Sequence, residues 1–128
     1  MGMEILYVGL GGMLGSILRY LVSQLSITLF PTSFPLPTFI INVSGSLIIG
    51  FLFGASQRFG WPAEHGRLFW MTGFCGGFTT FSAFSLENFQ LIKSGAWHVA
   101  LLYTLTSISL GIVGVFLGIR AAQLFALR

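Results

Sequence analysis

Charged residues are scarce in this chain: they make up 7% of its 128 residues, and aspartate is absent altogether. So low a share is untypical of a soluble domain. The net charge of +3 is scattered along the chain, so there is no basic stripe of the kind that binds nucleic acid. Cysteine occurs once, at Cys75, which excludes a disulfide framework or a thiolate metal cluster within one chain.

Apolar residues make up 55% of the sequence, and its mean hydropathy is +0.90. A membrane span needs about 20 mostly apolar residues. Runs of that kind lie at about residues 4–30, 38–57, 68–92 and 97–119, and the connections between them are short. We therefore expect residues 1–128 to form a single all-α domain of four transmembrane helices, in a multi-pass membrane protein.

The few positive charges are divided between the two sides of such a domain. Both termini and the loop at residues 58–67 would share one side, which carries Arg58, Arg67, Arg120 and Arg128. The other side has Lys93 and, depending on its depth, Arg19. Positive residues favour the cytoplasmic side of a membrane, and a bias this slight is compatible with insertion in both orientations.

Small residues recur at four-residue intervals in the first, second and fourth runs, as in Gly11 and Gly15 or Gly114 and Gly118. Such pairs let helix backbones approach closely in lipid. For any single pair, packing within the chain is the more common use. Four short helices have few faces to bury, however, and the sequence shows no internal repeat. Small residues on nearly every helix therefore favour a homo-oligomer.

The third run contains the segment "GFCGGFTTFSAFSLE" at residues 73–87. Its three glycines, followed by Thr79 and Thr80, weaken a helix near the middle of the run. Broken helix at membrane depth is tolerated where protein buries it or where it lines a cavity. The freed carbonyl groups need partners, and a dehydrated monovalent cation is one candidate. The sequence thus predicts an interrupted third helix.

Polar and aromatic side chains within the runs have two interpretations each. Asn42, one helical turn after Thr38, could strip water from a small anion, although an interhelical hydrogen bond is the commoner role of such a residue. Phe81 and Phe84 share a helix face. Such rings usually face the core or lipid, but their positive edges could instead contact an anion.

The same ambiguity holds for Tyr103, Ser107 and Arg19. Tyr103 and Ser107 lie one turn apart in the fourth run, where hydroxyls either form a ladder of donors or bond back to helix carbonyls. Arg19 lies deep in the first run. That position is equally compatible with two roles. The side chain could extend towards the membrane surface or make a structural contact, or it could line an ion-accessible cavity.

Three motifs, "GGMLGSILRY", "TFIINVSG" and "GFCGGFTTFSAFS", occur in that order on the first three runs. They resemble the Fluc (CrcB) fluoride channels of bacteria, and the resemblance covers essentially the whole chain. It implies an antiparallel, dual-topology homodimer in the cell inner membrane. Such a dimer exports fluoride passively through two pores and is not an enzyme.

The resemblance also implies roles for individual residues. Those of the fluoride pore would be Asn42, Phe81, Phe84, Thr38, Tyr103, Ser107 and Thr80. Arg19 would lie at the vestibule, and the backbone carbonyls of Gly76 and Thr79 would hold a structural sodium ion at the dimer interface. The sequence departs from the family pattern in one place, at Ala83, where a threonine is usual. The match is looser in the fourth run, because Gly111 falls where some relatives have a further hydroxyl.

Two other functions fit the composition. A proton-coupled exporter of cationic drugs, also built as a four-helix antiparallel dimer, needs a titrating carboxylate within the membrane. Glu4 and Glu64 lie near the ends of spans, which leaves Glu87, and its position near the end of a helix predicts a surface or vestibule role. A purely structural membrane subunit is the third possibility, but it leaves the interrupted third helix unexplained.

Overall fold

The computed structural model describes residues 1–125, which contain helices and no strand. The all-α prediction is therefore confirmed over that range, while Arg128 lies outside the described residues. The helical elements are α1 (Gly2–Leu29), α2 (Leu36–Phe59), α3 (Glu64–Arg67), a π-helical segment (Leu68–Cys75), α4 (Gly76–Phe78), α5 (Phe81–Lys93) and α6 (Trp97–Phe125).

Three of these helices, α1, α2 and α6, are long and apolar enough to cross a membrane. They correspond to the first, second and fourth predicted spans, although α6 continues beyond the predicted end at residue 119. Helix α2 carries Pro37 in its first turn. N–H groups in the first turn make no hydrogen bond within the helix, so the lack of one in proline costs nothing there. It stops at Gly60, whose φ of 66° is readily adopted by glycine.

Helices α2 and α6 pack against each other through glycines and run in the same direction. A Cβ atom added at Gly114 would lie 3.3 Å from the carbonyl oxygen of Val43, and one at Gly54 would lie 3.0 Å from the carbonyl oxygen of Ile119. Residue numbers increase together along the two helices at these contacts, so the helices are parallel. The chain between them has to return across the structure, and residues 64–93 provide that return.

Helix α1 packs in the same way on the first half of the returning segment, residues 64–78. A Cβ atom at Gly11 would collide with the carbonyl of Phe69, and one at Gly15 with the carbonyl of Phe74. Here too the two elements are parallel. The glycine pairs of the sequence therefore serve packing within the chain, and they no longer argue by themselves for a second copy.

The predicted interruption of the third helix is confirmed, and it lies at Thr79 and Thr80. Both residues have extended backbone, with φ and ψ of −82° and 160° at Thr79 and −149° and 120° at Thr80. The preceding glycines remain helical. Gly73 instead allows α1 to approach, because a Cβ atom there would lie 2.6 Å from the carbonyl oxygen of Val8.

The side chain of Asn42, on α2, holds this break. Its Nδ2 atom donates to the carbonyl oxygen of Thr80 at 2.9 Å, and its Oδ1 atom accepts from the N–H group of Thr80 at 2.8 Å. The hydroxyl of Thr80 caps α5 by accepting from the N–H group of Ala83 at 3.2 Å. The interhelical hydrogen bond considered for Asn42 is thus present, and it satisfies backbone groups that the break leaves without helical partners.

The glycine contacts between α2 and α6 predict a loss of stability on substitution. Gly118→Ala places a Cβ atom against the carbonyl of Leu47 and 2.6 Å from the backbone nitrogen of Phe51. Because backbone atoms cannot move aside as a side chain can, we expect the free energy of unfolding in mixed micelles to fall by about 1–3 kcal/mol. Gly9→Ala, where a Cβ atom meets nothing within 4 Å, is the matched control and should be neutral or slightly stabilising; equal stability of the two variants would contradict the packing described.

The Asn42 contacts predict a local effect at the break. Asn42→Leu leaves both backbone groups of Thr80 without partners, and Thr80 is only 8% exposed. Each buried group left unsatisfied costs about 1–3 kcal/mol, so amide hydrogen exchange at residues 79–81 should accelerate and the protein should unfold more easily. In Asn88→Leu, which removes a bond to the Phe84 carbonyl of the same helix and one from the Thr104 hydroxyl on α6, exchange at residues 79–81 should stay as in the unmodified protein.

Candidate functional site

An open cavity of about 430 Å³ adjoins the break in the third helix. Its walls come from α2, the π-helical segment, α4, α5 and α6, together with the two residues of the break. Among the lining residues are seven of the predicted site residues, Asn42, Gly76, Thr79, Thr80, Phe81, Phe84 and Ser107. No charged side chain lines it. Thr38, Tyr103 and Arg19 lie elsewhere.

The hydroxyl of Ser107 has no partner in this cavity wall. It is the one buried side-chain nitrogen or oxygen in residues 1–125 that makes no hydrogen bond. The neighbouring Thr106 behaves differently, since its hydroxyl donates to the carbonyl oxygen of Leu102 at 2.7 Å. Thr106 thus bonds back to its helix, whereas the Ser107 hydroxyl has a donor and an acceptor that no group in residues 1–125 uses.

Asn42 brings a second donor to the same wall. Its amide has two N–H groups, of which one bonds to Thr80, while its oxygen accepts from the Thr80 N–H group. The other N–H group makes no bond within the described residues. One side chain can therefore hold the break and still offer a weak, uncharged donor in the cavity.

Two phenyl rings complete this part of the site. The rings of Phe81 and Phe84 have centroids 5.9 Å apart. Phe84 also packs edge to face on Tyr103, with centroids 5.0 Å apart. Phe81 is 79% exposed, so nothing in residues 1–125 covers the side of the cavity on which it stands.

Thr38 and Tyr103 belong to a second cluster, centred on Glu87. Tyr103 is fully buried, and its hydroxyl donates to Oε2 of Glu87 at 2.8 Å. The hydroxyl of Thr38 donates to Oε1 of the same carboxylate. Glu87 was expected at a surface or vestibule, whereas the structure holds it half-buried between α2 and α6. Its spacing of three residues from Phe84 is the sequence signal that would have placed both on one helix face.

The remaining predicted residues are the vestibule arginine and the cation-binding carbonyls. Arg19 is half-buried on α1 and is not part of the cavity wall. Gly76 is the first residue of α4, and Thr79 follows the last residue of that helix. Since the N–H group of Thr80 bonds to Asn42, the carbonyl of Gly76 lacks its usual helical partner, and a Cβ atom at Gly76 would meet nothing within 4 Å.

The sequence model of the family described as "CrcB-like protein, Camphor Resistance (CrcB)" matches residues 6–119. The "Fluoride-specific ion channel FluC" of Azobacteroides pseudotrichonymphae genomovar. CFP2 is 46% identical over 122 residues, which cover 95% of this chain and 98% of that protein.

Two further relatives carry the same name. The protein of Rhodopseudomonas palustris strain BisB5 is 47% identical over 117 residues, covering 91% of this chain and 94% of its own length. That of Flavobacterium psychrophilum is 42% identical over 119 residues, covering 93% of this chain and 96% of its own. Matches of this extent leave almost no part of the sequence outside the comparison, and the chain belongs to the CrcB family.

Proposed function

We propose that this protein is a fluoride-selective channel through which fluoride leaves the cell down its electrochemical gradient. The observation that carries the proposal is the cavity at the helix break, whose polar lining consists of uncharged donors. The names of the relatives support the choice of ion. A channel of this kind makes and breaks no covalent bond, so the protein is not an enzyme.

The chemistry of the cavity suits a small, tightly hydrated anion. A selective pore has to replace the water around the ion with several weak donors and still let the ion go. Ser107, Asn42 and Thr80 supply such polar groups, and the ring edges of Phe81 and Phe84 carry partial positive charge. A charged ring of arginines or lysines would bind the ion more tightly and release it more slowly.

Four membrane crossings follow most directly from the helix directions. Helices α1, α2 and α6 are each long and apolar enough to span, and the parallel packing of α2 and α6 supports a further crossing by residues 64–93 between them. The third crossing is therefore made by α3, the π-helical segment, α4 and α5 together. We place the chain as a multi-pass protein in the cell inner membrane.

A second copy, inserted in the opposite orientation, completes the site in this proposal. Phe81 is exposed, and Gly76 faces open space, so one side of the cavity has no wall from its own chain. A partner related by a two-fold axis would supply that wall and create two equivalent pores. The carbonyls of Gly76 and Thr79 from both copies would then hold a sodium ion, because two carbonyls from one chain are too few for a cation's shell.

Thr38 and Tyr103 continue the polar route away from the cavity, with Arg19 at the vestibule. Both hydroxyl protons are committed to Glu87. These two residues can therefore donate to a passing anion only if they release the carboxylate, whereas the buried Ser107 hydroxyl has no hydrogen bond to break first. The alternative, an exporter of cationic drugs, would need Glu87 as its titrating carboxylate. The contacts of Glu87 with Thr38 and Tyr103 do not favour that function over the channel.

The proposed selectivity is tested by ion release from liposomes. Vesicles containing the purified protein, loaded with potassium fluoride or potassium chloride, are given valinomycin so that potassium can leave. We expect rapid release of fluoride, and release of chloride no faster than from protein-free vesicles, as read by ion-selective electrodes. Equal release of both ions would exclude a fluoride-selective channel.

The role of Ser107 is tested by a pair of neighbouring substitutions. Ser107→Ala removes the one unbonded buried hydroxyl, so fluoride flux should fall about tenfold, the effect of one lost hydrogen bond of about 1.4 kcal/mol. The free energy of unfolding should stay the same or rise, since an unsatisfied polar group is removed. Thr106→Ala is the control, and its flux should be unchanged. If Ser107→Ala conducts as well as the control, the hydroxyl has no part in permeation.

A further inference from the structure

A second polar cavity, of about 470 Å³, lies where α2 and α6 end. It is lined by two arginines, two glutamines, a glycine and a leucine, namely Arg58, Arg120, Gln57, Gln123, Gly54 and Leu124. None of these residues lines the cavity at the helix break. Two guanidinium groups and two amides thus face one space, and no carboxylate is among the lining side chains.

The close packing of the two helices brings the arginines together. A Cβ atom at Gly54 would lie 3.0 Å from the Cα atom of Ile119, so the backbones nearly touch at this level. Arg58 follows Gly54 by one helical turn, and Arg120 follows Ile119 directly. The backbone contact between Gly54 and Ile119 therefore brings the two arginines to the rim of the same cavity. Neither arginine takes part in that contact.

Neither arginine is neutralised by an acid within the described residues. The ion pair found there joins the terminal amino group and Glu4, and Glu4 and Glu64 line a different cavity together with Arg67. Arg120 instead stacks on Phe116, with 5.4 Å between its guanidinium carbon and the ring centroid. Paired guanidinium groups present donors in a planar fork that matches phosphate oxygens.

The surroundings of the cavity are apolar. Phe116, Leu124 and Phe125 on α6 are 55%, 65% and 75% exposed, and α6 is apolar enough to span a membrane. A ligand that binds here needs a negatively charged group for the cavity and apolar chains for the helix face. Basic pockets between membrane helices bind the headgroups of anionic lipids.

We propose that Arg58 and Arg120, assisted by Gln57 and Gln123, bind the phosphate of an anionic phospholipid whose acyl chains lie along the exposed apolar side chains of α6. This site requires only that the protein is in a membrane. It does not depend on which ion the protein conducts.

The lipid site is tested by binding to the full-length protein in neutral detergent. Phosphatidylglycerol is titrated while retained lipid is measured by native mass spectrometry and the unfolding temperature by intrinsic fluorescence. Phosphatidylcholine with the same acyl chains and soluble glycerol 3-phosphate are the comparison ligands. We expect phosphatidylglycerol to be retained and to raise the unfolding temperature more than either of the others. If glycerol 3-phosphate stabilises as well as the lipid, the cavity is a site for free phosphate and the proposal fails.

Substitutions locate the site. Arg58→Gln and Arg120→Gln should each weaken phosphatidylglycerol binding about fivefold, the effect of removing about 1 kcal/mol per arginine near a membrane surface. Arg67→Gln removes the same charge at the same end of the helices but outside the cavity, so binding should be unchanged. Equal weakening by all three would point to general surface charge and overturn the proposal, as would normal binding in Arg58→Gln and Arg120→Gln. Because both arginines are exposed, these variants should fold normally, which their unfolding temperature without lipid checks.

Discussion

The paired hydrogen bonds between the Asn42 amide and the backbone of Thr80 are the contact on which the described structure depends. A helix interrupted within a membrane exposes backbone groups that water cannot reach. Asn42 satisfies an N–H group and a carbonyl at once, so α5 can start afresh instead of continuing the line of α4. That new start places Phe81 and Phe84 beside Ser107 on α6. The cavity and the repair of the backbone therefore have a common cause.

The same arrangement gives Glu87 its position. Once α5 packs on α6, the helix turn after Phe84 carries the carboxylate to Thr38 and Tyr103, where two hydroxyl donors compensate part of its loss of water. Ser107 has no comparable partner. The two polar groups of residues thus differ. The hydroxyls of Thr38 and Tyr103 are already bonded to the carboxylate of Glu87, whereas the hydroxyl of Ser107 is not bonded.

Much of this could be predicted from the sequence because the constraint of a membrane is strong and local. Apolar runs of sufficient length predicted three helices, and the bounds of α1 and α2 were correct to within two residues. The cluster of glycines and threonines located the break to within a few residues. Contacts between distant parts of the chain could not be read in this way. Asn42 and Thr80 are 38 residues apart, so the sequence could propose an interhelical bond without naming its partner. The glycine pairs likewise do not reveal whether their partner is the same chain or another one.

The division of the third segment has one more consequence. Residues 64–78 pack mainly on α1, whereas α5 packs mainly on α6, which is itself joined to α2. The third segment thus divides its packing between two groups of helices, and its two extended residues lie at the division. Because Thr79 and Thr80 also line the cavity, a shift of one group against the other at this division would change the shape of the ion's proposed path.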